Sequence, residues 1–225
     1  QMMRVLGIIA EYNPFHYGHL YHLKKSKKIT RCDFTVAVMS GQFTQRGEAA
    51  IIDKWVRAEA AIACGVDLVL ELPTVYAVQT AELFGYGSVQ LLNHTDIITH
   101  ICFGSEAGDL APLQEIANIL NDEDEQYTAL LKKYLSLGLS YPAARYRAIL
   151  DYYNVLHKDN EKYDHNKNTA VIKKSLSGSN SILAIEYLKA LKLTQSNIIP
   201  LTIPRICSSY SAERIKKGIS SATSI

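Results

Sequence analysis

The chain has 225 residues, of which 48% are apolar, and its formal net charge is +2. This composition supports a large buried core and argues against a disordered chain. A net charge this small gives no global electrostatic argument for a nucleic-acid partner, although residues 1–150 carry 13 basic and 16 acidic residues whereas residues 151–225 carry 11 and 6. No apolar run reaches the ~18 residues of a membrane span and no secretory leader pattern is present, so we expect a cytoplasmic protein without a membrane partner.

Five short apolar runs rich in branched residues have the character of buried strands. They cover residues 4–11, 34–40, 67–72, 97–103 and 197–203. Segments with helical character follow them, over residues 19–28, 51–64, 80–92, 181–193 and 212–217. Because strands that alternate with helices form βαβ units, this order predicts an α/β fold with a doubly wound, mostly parallel five-stranded sheet of the Rossmann-like type.

Between the fourth and fifth strands the pattern changes. Residues 109–120, 123–135 and 141–150 predict three helices with no strand between them, which indicates a helical insertion beside the sheet. Residues 151–174 are rich in Asn, Asp, Lys and Tyr and have little periodicity, so we expect a mobile excursion there. The chain then divides into residues 1–110, the first part of the α/β domain; residues 111–178, the insertion and excursion; and residues 179–225, the return to the α/β domain.

The loop after the first strand carries the most unusual residues of the chain. His16, Gly18 and His19 lie where this loop enters the first helix. Unpaired N–H groups and the helix dipole make such a position favourable for a phosphate, and a glycine lets the backbone approach it closely. If both histidines lie in the first turn, their rings project to one side and can donate to one anionic group, which suits nucleotidyl transfer.

Two other interpretations of the histidines remain open from the residues alone. The H-x-x-H spacing could be half of a zinc site, but on a ligand count we expect no metal site. The pair could also be two unrelated surface histidines.

Two roles are open for each of three residues that follow the second strand. Arg46 and Glu48, in the loop after that strand, could shape a substrate pocket or form an internal ion pair with each other. Trp55 lies among alanines in the second helix, and we expect it in the core rather than as a platform for a stacked base.

Several motifs resemble one family closely. They are IIAEYNPFHYGHLYHL at residues 8–23, MSGQFTQRGEAAIIDKWVRAEAAIACGVDLVLELP at residues 39–73, CFGSE at residues 102–106, SNSILAIEYLKAL at residues 179–191, TIPR at residues 202–205 and GISSATSI at residues 218–225. Together they are similar to the bacterial tRNA(Met) cytidine acetate ligase family, which is part of the nucleotidyltransferase superfamily with the HxGH signature. The similarity covers most of residues 4–110 and returns after residue 178.

The resemblance implies a two-step reaction. Acetate would be activated by ATP to acetyl-adenylate with release of pyrophosphate, and the acetyl group would then pass to N4 of the wobble cytidine of elongator tRNA(Met). ATP, acetate, this tRNA and Mg²⁺ are the implied substrates and cofactor. Two alternatives remain: a small-molecule adenylyltransferase that uses the same site, and a nucleotide- or RNA-binding module that is inactive because the chain is truncated.

The resemblance also implies roles for particular residues. His16 and His19 would be the catalytic pair, and Lys24, Lys25, Lys216 and Lys217 would contact tRNA. The implied ATP-binding residues are Gly7, Ile8, Ile9, Ala10, Glu11, Tyr12, Asn13, Pro14, Phe15, His16, Tyr17, Gly18, His19, Leu20, Gly104, Asn180, Arg205, Ser220 and Ser221.

The sequence departs from the family pattern at three places. Tyr17 replaces the Asn of the histidine motif, and we expect its side chain to point away from the site. Asn180 is flanked by serines where the family has Pro-Asn-Asn, and it could alternatively cap the following helix. The chain stops at Ile225, inside the second phosphate motif, so we expect a C-terminally shortened member of the family.

Overall fold

The computed structural model describes residues 3–122, 124–158 and 165–205. The strands are β1 (Val5–Ala10), β2 (Phe34–Ser40), β3 (Leu68–Leu72), β4 (His100–Ser105) and β5 (Ile199–Pro204). The helices are α1 (Tyr17–Thr30), α2 (Lys54–Ala63), α3 (Thr74–Ala77), α4 (Ala81–Asn93), α5 (Leu110–Asp122), α6 (Glu125–Ser136), α7 (Tyr141–Leu156), α8 (His165–Ser175) and α9 (Ser179–Leu193).

The five strands form one sheet in the order β3-β2-β1-β4-β5. Every pairing between them is parallel, with Val5 opposite Phe34 on one side of β1 and Leu6 opposite His100 on the other. The predicted doubly wound α/β sheet is therefore confirmed. The chain winds outward in opposite directions from β1 and β4, so the boundary between these two strands is the switch point at which sheets of this kind bind ligands.

Both faces of the sheet are covered, which explains why its strands are apolar throughout. On one face, Leu6 and Ile8 of β1 pack in a cluster with Leu23 of α1 and Ala61 of α2. On the other face the alternate residues, such as Val5, pack in a cluster that includes α4 and α9. This alternation follows from the two-residue period of a strand.

The predicted helical insertion is formed by α5 to α8, but within the described residues 151–158 and 165–174 the prediction of a mobile excursion is wrong. Helix α7 continues to Leu156, and α8 occupies much of the remainder. Tyr152, Tyr153 and Ile172 are buried there and join the main core cluster. The segment looked polar from its composition, but the rings of its tyrosines supply apolar area that can be buried. The three-part division of the chain stays a prediction.

Trp55 is a second correction, because 69% of its surface is exposed and it is not in the core. Helix α2 begins only at Lys54, after the N-cap Asp53, and it turns Arg57 and Ala61 inward. Positions 55 and 57 project about 200° apart around a helix, so burial of Arg57 leaves Trp55 facing outward. The short helix α3 was not predicted, and the predicted helix over residues 212–217 lies outside the described residues.

Within the described parts of the chain, none of the helices has the length and apolar character that a bilayer crossing requires.

Candidate functional site

A pocket of about 340 Å³ opens at the carboxyl ends of β1, β4 and β5. Its walls come from the loop after β1, the loop after β2 and the first turns of α1 and α9. It therefore lies at the switch point between β1 and β4, and its size falls in the usual range for small-molecule sites.

Most of the predicted nucleotide residues meet in this pocket. Those that line it are Ile8, Ile9, Ala10, Glu11, Tyr12, Asn13, His16, Gly18, His19, Gly104, Asn180 and Arg205. Arg46 and Glu48 also line it, which is the position that the pocket interpretation of their loop requires.

The remaining predicted residues lie elsewhere. Gly7 packs against α4, where an added Cβ would meet Leu92 at 3.0 Å. Pro14, Phe15, Tyr17 and Leu20 are not part of the pocket lining, and Tyr17 is 70% exposed, as expected for a side chain that points away. Lys24 and Lys25 are exposed on α1. Ser220, Ser221, Lys216 and Lys217 lie outside the described residues.

The two predicted catalytic histidines cap the first turn of α1. Nδ1 of His16, the N-cap residue, accepts the backbone N–H of Gly18 at 3.0 Å, and Nδ1 of His19 accepts the backbone N–H of His16 at 3.3 Å. The arrangement is a capping box made of two imidazoles, whose ring centroids lie 3.8 Å apart. A ring nitrogen that accepts carries no proton, so each ring holds its proton on Nε2.

The surroundings keep both rings neutral. Burial lowers the pKa of His16, and the positive charge of Arg205 lowers it further. Burial also holds the pKa of His19 well below its usual value, with smaller contributions from His16, His22 and Arg205. At pH 7 the pair therefore presents two neutral Nε2–H donors, which can hydrogen-bond phosphate oxygens without a proton transfer.

Aromatic neighbours fix the ring of His19. Tyr12 is buried, with a left-handed φ of 49°, and its ring meets that of His19 edge-on with centroids 5.0 Å apart. The ring of Phe15 lies 4.8 Å from Tyr12 and 5.6 Å from His19. Phe15, although outside the pocket lining, thus supports a residue inside it.

Arg57 holds the loops around the pocket together, a role that the sequence analysis missed. Its guanidinium is buried and donates to four backbone carbonyls: Ile52 at 2.9 Å, Glu11 at 2.6 Å, Ser40 at 3.1 Å, and Gly41. Satisfying all four carbonyls requires the fork of donors that only arginine has. The signal in the sequence that could have indicated this role was an arginine on the inward side of an alanine-rich helix.

Two further hydrogen bonds join the loops that follow β1 and β2. The carboxylate of Glu11 accepts the backbone N–H of Gln45 at 2.6 Å, and the amide oxygen of Asn13 accepts the N–H of Ile51 at 2.7 Å. These contacts position Arg46 and Glu48 at the rim of the pocket.

Glu106, just after β4, is the other functional candidate that the sequence analysis missed. Its carboxylate accepts the N–H and side-chain amide of Asn180 and the N–H and hydroxyl of Ser181, at the start of α9. The N-cap residue of α9 is Gly178, so Asn180 is not the cap but lies in the first turn.

His22, one turn after His19, also lines the pocket, and the ligand count made from the sequence overlooked it. Burial lowers the pKa of His22 to about 4. Among the described residues no group of three or more His, Cys, Asp and Glu side chains is arranged to hold a metal ion.

Comparisons with known proteins agree with this geometry. A sequence model of the HIGH nucleotidyl transferase family matches residues 3–225. Curated tRNA(Met) cytidine acetate ligases of Acetivibrio thermocellus and Clostridium novyi are 52% and 49% identical over 223 residues, which are 99% of this chain but 51% and 52% of those proteins. The chain thus spans about half the length of the curated relatives it matches.

Two crystal structures of Thermotoga maritima TmcAL are also similar, each at 42% identity over 98% of this chain. The apo form superposes with a TM-score of 0.90, and the form bound with alpha-thio ATP with a TM-score of 0.86; the match covers 50% and 49% of those chains. Because the family model spans nearly the whole sequence and the sheet and histidine pair have the geometry such a site needs, this chain belongs to the HIGH nucleotidyl transferase family.

Proposed function

We propose that this chain carries the ATP site of an ATP-dependent tRNA(Met) cytidine acetate ligase. The observation that carries the proposal is the pair of neutral imidazole donors at the switch point of a chain about half identical to proteins named for this activity. The related Thermotoga structure with a bound ATP analogue supports ATP as the nucleotide.

In the proposed first step, a carboxylate oxygen of acetate attacks the α-phosphorus of ATP. The new bond gives acetyl-adenylate, and pyrophosphate leaves with the electrons of the broken bond. Nε2–H of His16 and of His19 would stabilise the charge that develops on the phosphate oxygens. Acetate is ionised at neutral pH, as a nucleophile must be.

We assign the pocket residues 8–13, His16, Gly18, His19, Gly104, Asn180 and Arg205 to ATP binding. Ser220 and Ser221 stay predicted ligands from the resemblance. Mg²⁺ would arrive with the triphosphate, because this ion keeps several waters and binds substrate phosphates. We assign it no ligand from this chain, because no group of three or more His, Cys, Asp and Glu side chains among the described residues is arranged to hold a metal ion.

In the proposed second step, the N4 amine of the wobble cytidine attacks the acetyl carbon, AMP leaves and the amine loses a proton. Lys24 and Lys25 would contact the tRNA backbone from the exposed side of α1. Cys102 is a poor candidate for a thioester intermediate, because burial raises the pKa of its thiol to about 11. Because the proposed substrate is a tRNA, we also propose that the protein acts in the cytoplasm.

The proposal is tested by three measurements on the same chain: ATP binding, acetate-dependent release of pyrophosphate, and acetylation of elongator tRNA(Met). His16→Ala and His19→Ala are the test variants. His94→Ala is the matched control, since His94 is exposed at the end of α4 and is not part of the pocket lining. Loss of one donor to a developing oxyanion typically costs a factor of about 100 or more in rate.

We expect pyrophosphate release that requires acetate and both histidines, and acetylated cytidine when the tRNA is added. Pyrophosphate release that depends on a different acceptor would identify an adenylyltransferase instead. ATP binding with no release would show that this stretch of chain binds the nucleotide without turning it over. Unchanged rates in both histidine variants would refute the catalytic assignment.

A further inference from the structure

The carboxylate of Glu106 has all of its hydrogen-bonding capacity in use. Oε1 accepts the backbone N–H of Asn180 at 3.3 Å and its side-chain Nδ2 at 3.2 Å. Oε2 accepts the backbone N–H of Ser181 at 2.7 Å and its hydroxyl. Four donors on one carboxylate fill its acceptor positions, so Glu106 is neither a free base nor an available ligand for a cation.

These contacts fix the orientation of the Asn180 side chain. A carboxylate has no proton to donate, so only the nitrogen of the Asn180 amide can face Oε1. The amide oxygen must then point to the opposite side. Asn180 lines the pocket, and within the described residues its Oδ1 accepts no hydrogen bond. An oriented acceptor is therefore presented toward the ligand space.

The wall beside this acceptor is apolar. Leu183 and Tyr187 follow Asn180 on the same face of α9, at spacings of three and seven residues, and both line the pocket. Gly104, at the end of β4, also lines the pocket, and an added Cβ there would meet nothing within 4 Å. A flat base with its sugar suits this wall better than a triphosphate does.

The charge of Glu106 also helps to separate the positions of the triphosphate and the nucleoside in the pocket. A carboxylate at the start of α9 already satisfies the positive end of that helix dipole and repels a phosphate from it. The first turn of α1 has no acidic residue and carries the two histidine donors. The triphosphate is thus directed to α1, and the nucleoside to the side of α9.

We propose that Glu106 is a positioning residue for nucleotide selection: by holding the amide nitrogen of Asn180, it turns the amide oxygen toward a hydrogen-bond donor on the nucleoside. This inference rests on the proposed ATP site. The donor is either the 6-amino group of adenine or a ribose hydroxyl, and the ligands of the test distinguish these two.

The test measures the dissociation constants of four nucleotides for the full chain. They are ATP, purine riboside triphosphate, which lacks the 6-amino group, 2′-deoxy-ATP and 3′-deoxy-ATP. The test variants are Glu106→Gln, whose NH₂ group opposes two of the four donors and so weakens the hold on the Asn180 amide, and Asn180→Ala, which removes the acceptor without altering Glu106. Glu82→Gln is the matched control, because Glu82 is an exposed residue of α4 that pairs with Lys189 and does not line the pocket.

We expect the wild-type chain to bind one of the three analogues about fivefold to tenfold more weakly than ATP, the effect of one lost hydrogen bond. Glu106→Gln and Asn180→Ala should reduce that ratio to about twofold or less, whereas Glu82→Gln should keep the wild-type ratio. A general loss of stability would weaken all four ligands together and leave the ratio unchanged.

The outcomes separate this inference from the function on which it rests. A wild-type chain that binds no ATP refutes the proposed site itself. A chain that binds ATP but does not distinguish the analogues, or that distinguishes them equally well in both test variants, refutes only the role of Glu106.

Discussion

The pocket histidines give the protein a characteristic dependence of stability on pH. Burial lowers the pKa of His16, His19 and His22 in the folded state, for His22 to about 4. Between these lowered values and the usual pKa of about 6.5, the unfolded chain binds protons that the folded chain does not. Their contribution to the free energy of unfolding is therefore fully present above about pH 6.5 and falls as the pH drops toward 4.

We expect His22→Gln to flatten this slope, because glutamine does not titrate in that range. The measurement is urea unfolding followed by circular dichroism at several pH values from 5 to 7.5, with His94→Gln, at an exposed position outside the pocket, as the control substitution. An unchanged slope in His22→Gln would mean that His22 is not held neutral by the fold.

Only some of the contacts in the site could be predicted from the sequence. His16 and His19 lie within one helical turn, so their spacing predicted that the two rings come together, whereas their catalytic role was implied by the family resemblance. Glu106 and Asn180 are separated by 74 positions, and Arg57 and Glu11 by 46. A single sequence contains no signal that joins residues so far apart, and both contacts depend on the order of the strands.

Arg57 is the strongest case for a residue that acts through the structure rather than on a ligand. We expect Arg57→Lys to lower the free energy of unfolding by about 2–3 kcal/mol, because one ammonium group cannot satisfy four buried carbonyls. ATP affinity should fall with it, since two of those carbonyls belong to Glu11 and Gly41 in the pocket loops.

Chemical denaturation of Arg57→Lys and of Arg147→Lys checks this expectation. Arg147 is exposed on α7, so its substitution should change stability by no more than about 0.5 kcal/mol. Equal effects of the two substitutions would contradict the role given to Arg57.

At the scale of elements, the start of α9 depends on the glycine that precedes it. Gly178 has a φ of 84°, and a Cβ there would overlap the carboxylate of Glu106. Gly138 has a similar φ of 82° but open space around it. The two glycines therefore separate backbone strain from a steric clash.

We expect Gly138→Ala to cost about 1 kcal/mol through strain alone, and Gly178→Ala to cost about twice as much or more. Gly178→Ala should also weaken ATP binding, because displaced Glu106 no longer holds Asn180. Thermal unfolding and nucleotide titration of both variants measure these effects. A stable Gly178→Ala variant with normal ATP affinity would show that the contact between Glu106 and Asn180 does not affect ATP binding.

The sequence predicted strands and helices correctly where an element is covered on both faces, and it failed where only one side of a helix is buried. The five strands are runs of branched apolar residues covered on both faces, so they were found with shifts of a few residues at their ends. Helix α8 was missed, because its mean hydropathy is low and it contributes Ile172 to the core from an otherwise polar segment. Trp55 was misplaced because the alanines around it did not show which side of α2 faces inward.

At the scale of the whole molecule, the insertion and the sheet form one core. Buried residues of β2, β4, α5, α7 and α8 belong to a single cluster. Ion pairs around the buried carboxylate of Glu186 strengthen the same interface. Arg145 of α7 and Lys189 of α9 bind this carboxylate at 2.6 and 2.8 Å. Lys189 also reaches the exposed Glu82 of α4 at 2.9 Å. The large buried apolar side chains of the described insertion belong to the cluster that it shares with one face of the sheet, so we expect the insertion and the sheet to unfold together.

Arg145→Met tests this coupling, because it leaves the buried carboxylate of Glu186 with one cation instead of two. Removal of one partner from a buried pair costs about 3–5 kcal/mol, and the remaining Lys189 should hold the loss to about 2 kcal/mol.

In native-state hydrogen exchange, the protection of β2 amides should fall by the same free energy as that of α7 amides. Lys192→Met, which breaks an exposed pair with Asp122 between α9 and α5, should leave both nearly unchanged. Loss of protection in α7 alone would show that the insertion opens independently of the sheet. In that case the packing of α9 against the sheet would be sufficient to hold the pocket wall that α9 forms.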